Sequence, residues 1–396
     1  MTGPRTEGFS FRVLAEDGNA RRSVLVTPHA VVDLPTFMPV GTQGSVKTLT
    51  PEEVAATGAQ IVLGNTYHLW LRPGEELIAE LGGLHAFSRW PRAMLTDSGG
   101  FQAFSLADRL KVGRPGEGDD PSRRSLVKIR EEGVTFRSHV DGSLRHLTPE
   151  EAVRVQGKIG ADIQMQLDVC PPGESPRRVV EEAVAQTTRW AKRALAAPRP
   201  ARQALFGIVQ GACFADLRRA HAEELAALEP AFDGLALGGF SVGEPIPKMY
   251  EALAEVAPAL DRERPRYLMG VGTPRDLLEA IEHGVDMFDC VLPTRNARNG
   301  QALTRFGKVV IKQARYRNDP KPLDPDCTCA ACAGGFSRAY LRHLYLVGEI
   351  LALRLLSLHN LHLYGELVRG ARGAIESRTY AAYKRRWLET LEAGPP

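Results

Sequence analysis

Ile163-Gln164-Met165-Gln166-Leu167-Asp168 is a run of strand length that ends on a carboxylate, and the same unit returns along the chain. Comparable runs, most ending in Gly, Asp, Asn or Gln, occupy 36–40, 61–65, 93–97, 205–210, 234–239, 267–270 and 287–289, which makes eight. Near-continuous apolar runs of this length are what strands buried on both faces require. Between them lie helix starts: Thr50-Pro51-Glu52-Glu53-Val54, Thr148-Pro149-Glu150-Glu151-Ala152 and Thr273-Pro274-Arg275-Asp276-Leu277. Each places a Thr N-cap before a Pro at the first helical position, with an acid in the first turn. Eight such units predict an α/β fold, the (β/α)8 TIM barrel. Functional residues of that barrel gather at the C-terminal strand ends, here Asn65, Asp97, Asp168, Gln210, Gly238-Gly239, Met269 and Asp289.

The rest of the chain fits around that repeat. At 396 residues it is expected to be a single barrel domain spanning 1–396, with three additions. Residues 9–34 alternate like a hairpin turning at Asp17-Gly18-Asn19 and are expected to cap the barrel. Residues 108–146 form an insertion with a Gly/Pro/Asp-rich loop, Gly113 to Pro121, and a hairpin pairing Leu126–Arg130 with Val134–Arg137. Residues 318–369 carry a cysteine cluster and a helical stretch from Ser337 to about Arg369. With 43% hydrophobic and 24% charged residues the chain has ample core, and its net charge of +3 confines any nucleic-acid surface to a local patch. No apolar run is long enough to span a bilayer and no secretory leader is evident, so a cytoplasmic protein without a membrane partner is expected.

Two constellations carry chemistry. Cys327-x-Cys329-x-x-Cys332 brings three thiolates within six residues, which suits one tetrahedral Zn²⁺ in a reducing compartment. The fourth ligand lies on the following helical stretch, with His343 and His359 as the alternatives. The site is expected to be structural, not catalytic. The second constellation surrounds Asp97 and Asp289. Thr96-Asp97-Ser98-Gly99-Gly100-Phe101-Gln102 is a turn that would leave Asp97 in the barrel mouth. Met287-Phe288-Asp289-Cys290-Val291-Leu292-Pro293 ends a strand on Asp289, with Pro293 expected to stop it. From Arg295 to Arg317 there are seven Lys or Arg and no acid, a phosphate-binding track. Two carboxylates flanking a sugar can break a glycosidic bond, one attacking the anomeric carbon and the other carrying the leaving group's proton.

Taken together, Leu95–Gln102, Gly207-Ile208-Val209-Gln210-Gly211, Leu237-Gly238-Gly239, Tyr267–Gly272, Phe288–Arg295, the three cysteines and His359-Asn360 resemble the bacterial tRNA-guanine transglycosylase family. The likeness runs in order from about residue 9 to 387. It implies exchange of guanine at the wobble position of G-U-N anticodons for the queuosine precursor preQ1, through a covalent RNA–enzyme intermediate. By the same likeness Asp289 is the nucleophile and Asp97 the general acid/base. Asp168 and Gln210 read the base edge with backbone help at Gly239 and Phe240, while Met269, Cys170 and Phe101 line the base pocket. Arg295, Arg298, Gly270 and Asp276 fall on RNA contacts, and His359 becomes the fourth ligand of one zinc per subunit. A homodimer is also implied, with Phe336, Tyr340, His343 and Leu344 as candidate interface residues.

One departure is visible: many bacterial members carry Glu then Cys after the base-reading aspartate, and here the sequence is Asp168-Val169-Cys170. Two rival readings remain, a non-catalytic tRNA-binding barrel and a carbohydrate-active one. The first has no use for both Asp97 and Asp289, and the second has none for the Arg-rich track.

Overall fold

Local chemistry decides where the helices start. Thr50 Oγ1 accepts from the Glu53 N–H at 3.3 Å while the Glu53 carboxylate accepts from the Thr50 N–H at 3.0 Å, a reciprocal capping box. Thr273 and Asp276 repeat the arrangement, and Thr148 caps Pro149–Ile159 through the Glu151 N–H. Each cap launches a helix that carries the chain back across the barrel's outer face.

The computed structural model describes residues 6–103 and 127–394. The Gly113–Pro121 loop and Leu126, expected within the second insertion, lie outside them. The chain opens with β1 (Ser10–Asp17), β2 (Ala20–Val26) and β3 (Val31–Leu34), an antiparallel sheet with one strand more than the expected hairpin. Then come β4 (Thr36–Gly41), β5 (Ile61–Gly64) and β6 (Ala93–Thr96). The described part of the insertion is a second antiparallel sheet, β7 (Val127–Ile129), β8 (Val134–Arg137) and β9 (Leu144–Leu147). Here too a third strand joins the expected pair. The barrel resumes with β10 (Ile163–Met165), β11 (Ala204–Val209), β12 (Gly234–Leu237), β13 (Arg266–Leu268) and β14 (Met287–Cys290). A hairpin of β15 (Gln301–Thr304) and β16 (Gly307–Val310) follows.

Strands β4, β5, β6 and β10 to β14 close into one parallel barrel, with β14 pairing back onto β4. All eight runs read from the sequence are its strands. Met38, Ile61, Leu63, Leu95, Met165, Phe206, Ile208 and Tyr267 fill the interior and pack onto Phe9, Leu25, Val32 and Leu34 of the N-terminal segment, which seals the barrel floor. Asp286 interrupts the apolar run from Val285 to Phe288 and explains how that cap is held. Fully buried, it accepts from Arg21 through both oxygens, from Ser23 Oγ at 2.8 Å and from the Arg266 N–H at 2.7 Å.

Two other expectations are corrected. Pro293 does not merely stop β14; it sits in the first turn of the short helix Leu292–Arg298, where its missing N–H costs nothing. The helical stretch after the cysteines is two helices, Arg338–Leu346 and Ile350–Glu376, broken at Val347-Gly348-Glu349, where Gly348 has φ +80°. The left-handed backbone needed there is one that glycine adopts freely.

Candidate active site

The strand ends converge at the barrel mouth. Asp97 follows β6, and its neighbour across the sheet, Asn65, follows β5. Asn65 Nδ2 donates to Asp97 Oδ2 at 2.5 Å and the Thr66 N–H donates to Oδ1 at 2.9 Å. Burial nevertheless pushes the Asp97 carboxyl up to about 7, against those donors, and the Asp289 charge pushes the same way. Asp97 can therefore hold or release a proton near neutrality.

Asp289 lies on β14 and faces a different environment. Tyr267 Oη donates to its Oδ1 at 2.6 Å and the Gly270 N–H donates to the same oxygen at 2.7 Å. Burial raises this carboxyl also, but both donors favour its charged form. Both bonds fall on Oδ1, which leaves Oδ2 free of them. Two buried carboxylates at one barrel mouth, held by different hydrogen-bond partners, are parts for a nucleophile and a proton carrier.

Beside them a polar shelf continues along β10, β11 and β12. Asp168 and Gln210 are both buried, and Gln210 Nε2 donates to Asp168 Oδ2 at 2.6 Å. Burial pushes the Asp168 carboxyl up to about 6. The amide oxygen of Gln210 is buried without a hydrogen-bond partner among the described residues. A buried acceptor of that kind invites a ligand donor. Gly239 has φ +66°, and a Cβ there would lie 2.4 Å from Gln210 Oε1, so only glycine brings the turn this close. Glu244 accepts from the Ser241 N–H and, at 2.9 Å, from the Val242 N–H, fixing the far side of that turn.

The remaining expected residues take these places. Phe240 is buried, Met269 and Cys170 are partly buried, and Phe101 is 47% exposed. Burial pushes the Cys170 thiol up to about 12, which makes it a pocket wall and a poor nucleophile. Gly270 is exposed and holds Asp289 through its N–H. Asp276 is buried, with one oxygen on the Thr273 N–H at 2.8 Å and the other accepting from Tyr250 Oη at 2.6 Å. Arg295 is exposed on the helix after β14, and Arg298, partly buried, has a buried Nη1 without an acceptor among the described residues.

The cysteines form a separate centre. His359 Nδ1 lies 3.5, 3.4 and 3.4 Å from the Sγ atoms of Cys327, Cys329 and Cys332, and all four residues are buried. An edge of ~3.5 Å between N and S is what a tetrahedral zinc with ordinary bond lengths demands. His359 Nε2 lies 2.9 Å from Leu303 O; donating there leaves the Nδ1 lone pair aimed at the thiols. The donor set fits a metal ion. Of the two histidines, His359 joins the cluster and the exposed His343 does not. A second group, His29, His85 and Asp162 at the barrel floor, has N···O separations of 2.7 and 3.1 Å, the lengths of hydrogen bonds.

The helix that presents His359 does more. Asn360 Nδ2 donates to Pro293 O at 2.8 Å and Gln301 O at 3.1 Å, Asn360 Oδ1 accepts from the Leu303 N–H at 2.7 Å, and Tyr364 Oη donates to Gly272 O at 2.5 Å. One helix thus touches the metal cluster, the Arg-bearing helix and the loop after β13.

Reading the sequence for chemistry missed Tyr267 and gave Asn65 no role. Tyr267 stood in the sequence only as an aromatic in a strand. Its hydroxyl, one residue before the strand's end, was the available signal, since a buried phenol usually has a partner.

This is the class of (β/α)8 enzyme whose mouth sets two unlike carboxylates beside a polar, planar shelf, with a Cys3His centre packed alongside. Residues 16–393 match the queuine tRNA-ribosyltransferase family, and the chain belongs to it. Among its relatives, the queuine tRNA-ribosyltransferase of Sorangium cellulosum (strain So ce56) is 68% identical over 98% of this chain and 94% of the relative. That of Nitratidesulfovibrio vulgaris (strain DP4) is 52% identical over 97% of each. A Neisseria meningitidis serogroup C relative of the same name is 47% identical over 98% of this chain and 99% of its own length. No helix among the described residues is long and apolar enough to cross a membrane.

Proposed function

We propose that this chain is a tRNA-guanine transglycosylase of queuosine synthesis, exchanging guanine for preQ1 at the wobble position of G-U-N anticodons. The observation that carries the reading is the differently hydrogen-bonded pair Asp97 and Asp289 in one mouth with the Asp168–Gln210 shelf, in a chain of this family. Asp289 attacks C1′ of the ribose, and the C1′–N9 bond breaks as guanine departs with the electron pair. Asp97 protonates the departing base. It then takes the N9 proton of the incoming preQ1, whose nitrogen attacks C1′ and expels Asp289. Nucleophilic catalysis suits an oxygen left open by two bonds on its neighbour. A base must leave its stack to reach this mouth, as bases in unpaired RNA loops do.

Asp168, Gln210, Gly239 and Phe240 read the base, with Met269, Cys170 and Phe101 around it. Glu244 takes the Ser241 N–H, so the Phe240 carbonyl points the opposite way in that planar peptide and can accept from the preQ1 ammonium. Val242 beside it leaves room for the aminomethyl group and little for the bulkier queuine. Arg295, exposed on the helix after β14, and Arg298, partly exposed one turn on, take the anticodon-loop phosphates. Gly270 and Asp276 serve the RNA side by shaping the loop after β13.

The metal is one structural Zn²⁺ held by Cys327, Cys329, Cys332 and His359, which would tie the cysteine loop to the helix bearing His359. The whole chain works as one catalytic domain, in the cytoplasm, as a homodimer. Exposed Tyr340, Leu346, Val347 and Ile350, the last 70% exposed, supply an apolar face for that dimer. The deciding experiment incubates the protein with labelled guanine and unmodified G-U-N tRNA. Incorporation into tRNA is expected, and its absence with metal-replete protein overturns the reading.

A further inference from the structure

The helix Ala215–Ala226 follows the Gln210 strand end and carries two buried polar side chains one turn apart, Arg218 and His221. The Gln210 N–H donates to His221 Nδ1 at 2.9 Å, and burial pushes the imidazole down to about 4, so the ring stays neutral and able to accept. Arg218 asks for more explanation. It is fully buried, and among the described residues it forms no ion pair, although the Glu244 charge acts on it from a distance. Its Nε donates to Ala212 O at 2.5 Å, its Nη1 to Val209 O at 3.3 Å and its Nη2 to Gly239 O at 3.2 Å. The guanidinium carbon lies 3.6 Å from the centroid of the Phe240 ring.

Burial lowers the guanidinium to about 10, which leaves it charged at neutral pH. A buried charge without a counter-ion weakens a fold unless its donors are fully used, and an apolar side chain would fill the space at less cost. A guanidinium adds what an apolar group cannot, a planar fork that holds several acceptors at once. Val209 and Ala212 flank Gln210, while Gly239 and Phe240 form the turn after β12. Because a trans peptide is planar, fixing Gly239 O also fixes the opposite direction of the Phe240 N–H. Glu244 does the same for the next peptide through the Ser241 N–H. Cation and anion thus brace successive peptides of one turn.

We propose that Arg218 is a positioning residue for base recognition, locking the Gln210 segment to the Gly239-Phe240 turn so that both present a preset pattern of donors and acceptors to the base. The inference rests on the base-exchange reading of this mouth. It predicts a defect confined to the base and absent from the RNA.

The test uses the full-length protein with Arg218→Met, which keeps the stem and removes the donors, and Arg218→Lys, which keeps the charge. Initial rates are measured with guanine and tRNA varied separately. Arg218→Met is expected to raise KM for guanine on the order of tenfold, with KM for tRNA unchanged and partial recovery in Arg218→Lys. An equal rise in both KM values, or a fall in kcat alone, overturns the proposal. Should Arg218→Met fail to fold, Arg218→Lys carries the same split at smaller amplitude. If the unmodified protein incorporates no guanine, the activity reading fails separately. Calorimetric binding of free guanine then decides the role of Arg218, and equal affinity in unmodified and variant protein sinks it.

Discussion

The Cys3His cluster and the aspartate pair are both clusters of titratable side chains, yet they are assembled in opposite ways. Three of the four metal-site residues lie within six positions of sequence, and the cluster is sealed from solvent with its own small core of Val309, Ile311, Leu323 and Leu341. The aspartates are 192 residues apart, counting from 97 to 289, and stay partly open at the end of two strands that are not neighbours in the barrel. The first arrangement suits stability, because four buried donors converge where one metal ion would satisfy them all. The second suits chemistry, because its charges are left unbalanced. Damage to one should spare the other, and that separation can be measured.

The largest effect is expected at the nucleophile. Asp289→Asn should abolish a denaturation-resistant tRNA adduct and lower exchange by about three orders of magnitude or more, with metal content unchanged. An adduct that persists on a denaturing gel removes Asp289 from this role. Asp97→Asn should bind tRNA but exchange base about 10² to 10⁴ times more slowly. Its pH dependence sharpens the comparison. With its folded pKa raised to about 7 from 3.8, Asp97 binds a proton in the native state that the unfolded chain has lost. Its contribution to stability therefore falls as pH rises through that window. Asp97→Asn should flatten the dependence, gaining about 1–2 kcal/mol relative to the unmodified protein at pH 8 compared with pH 5. Parallel thermal melts at the two pH values check this.

Cys329→Ala should give the reverse pattern. Metal content falls, and the melting temperature drops by about 10 °C, because structural zinc contributes folding free energy directly. Full metal content by elemental analysis in this variant would mean a different ligand set. A smaller effect is expected for Arg298→Ala, whose tRNA affinity should fall with a salt slope shallower by about 1. The smallest is at the pocket rim: Val242→Gly should narrow the preference for preQ1 over queuine by a few-fold, since one added cavity discriminates weakly. Comparable rates for both bases in the unmodified protein would overturn the preQ1 assignment.

The same contrast explains what could be read from the sequence. The eight barrel strands were legible because each is a short apolar run with a distinctive end, and Thr–Pro–acid starts marked several of the helices between them. The cysteine spacing announced a metal site, but not its fourth ligand. Choosing His359 over His343 needed either the family likeness or the fold, since both lie on helical sequence. The Asp97–Asp289 pairing had no local signature at all, because barrel closure, not spacing, brings those strand ends together. The third strands β3 and β9 went unread for a similar reason. Each is a four-residue segment whose strand character comes from its partner more than from its own composition. Arg218 and His221 carry no signal in the sequence, and only their burial in the fold marks them out.

The helix Ile350–Glu376 meets the metal cluster through His359 and, one residue later, grips Pro293 and Gln301 through Asn360. On the proposed roles of these residues, metal supply would reach RNA grip through a single residue step. A chain short of zinc could keep its eight-stranded barrel and its two aspartates and still hold Arg295 and Arg298 out of place. Such a molecule would retain its chemistry and lose its customer, and a stock of protein starved of zinc should show tRNA affinity failing before its far-ultraviolet dichroism does.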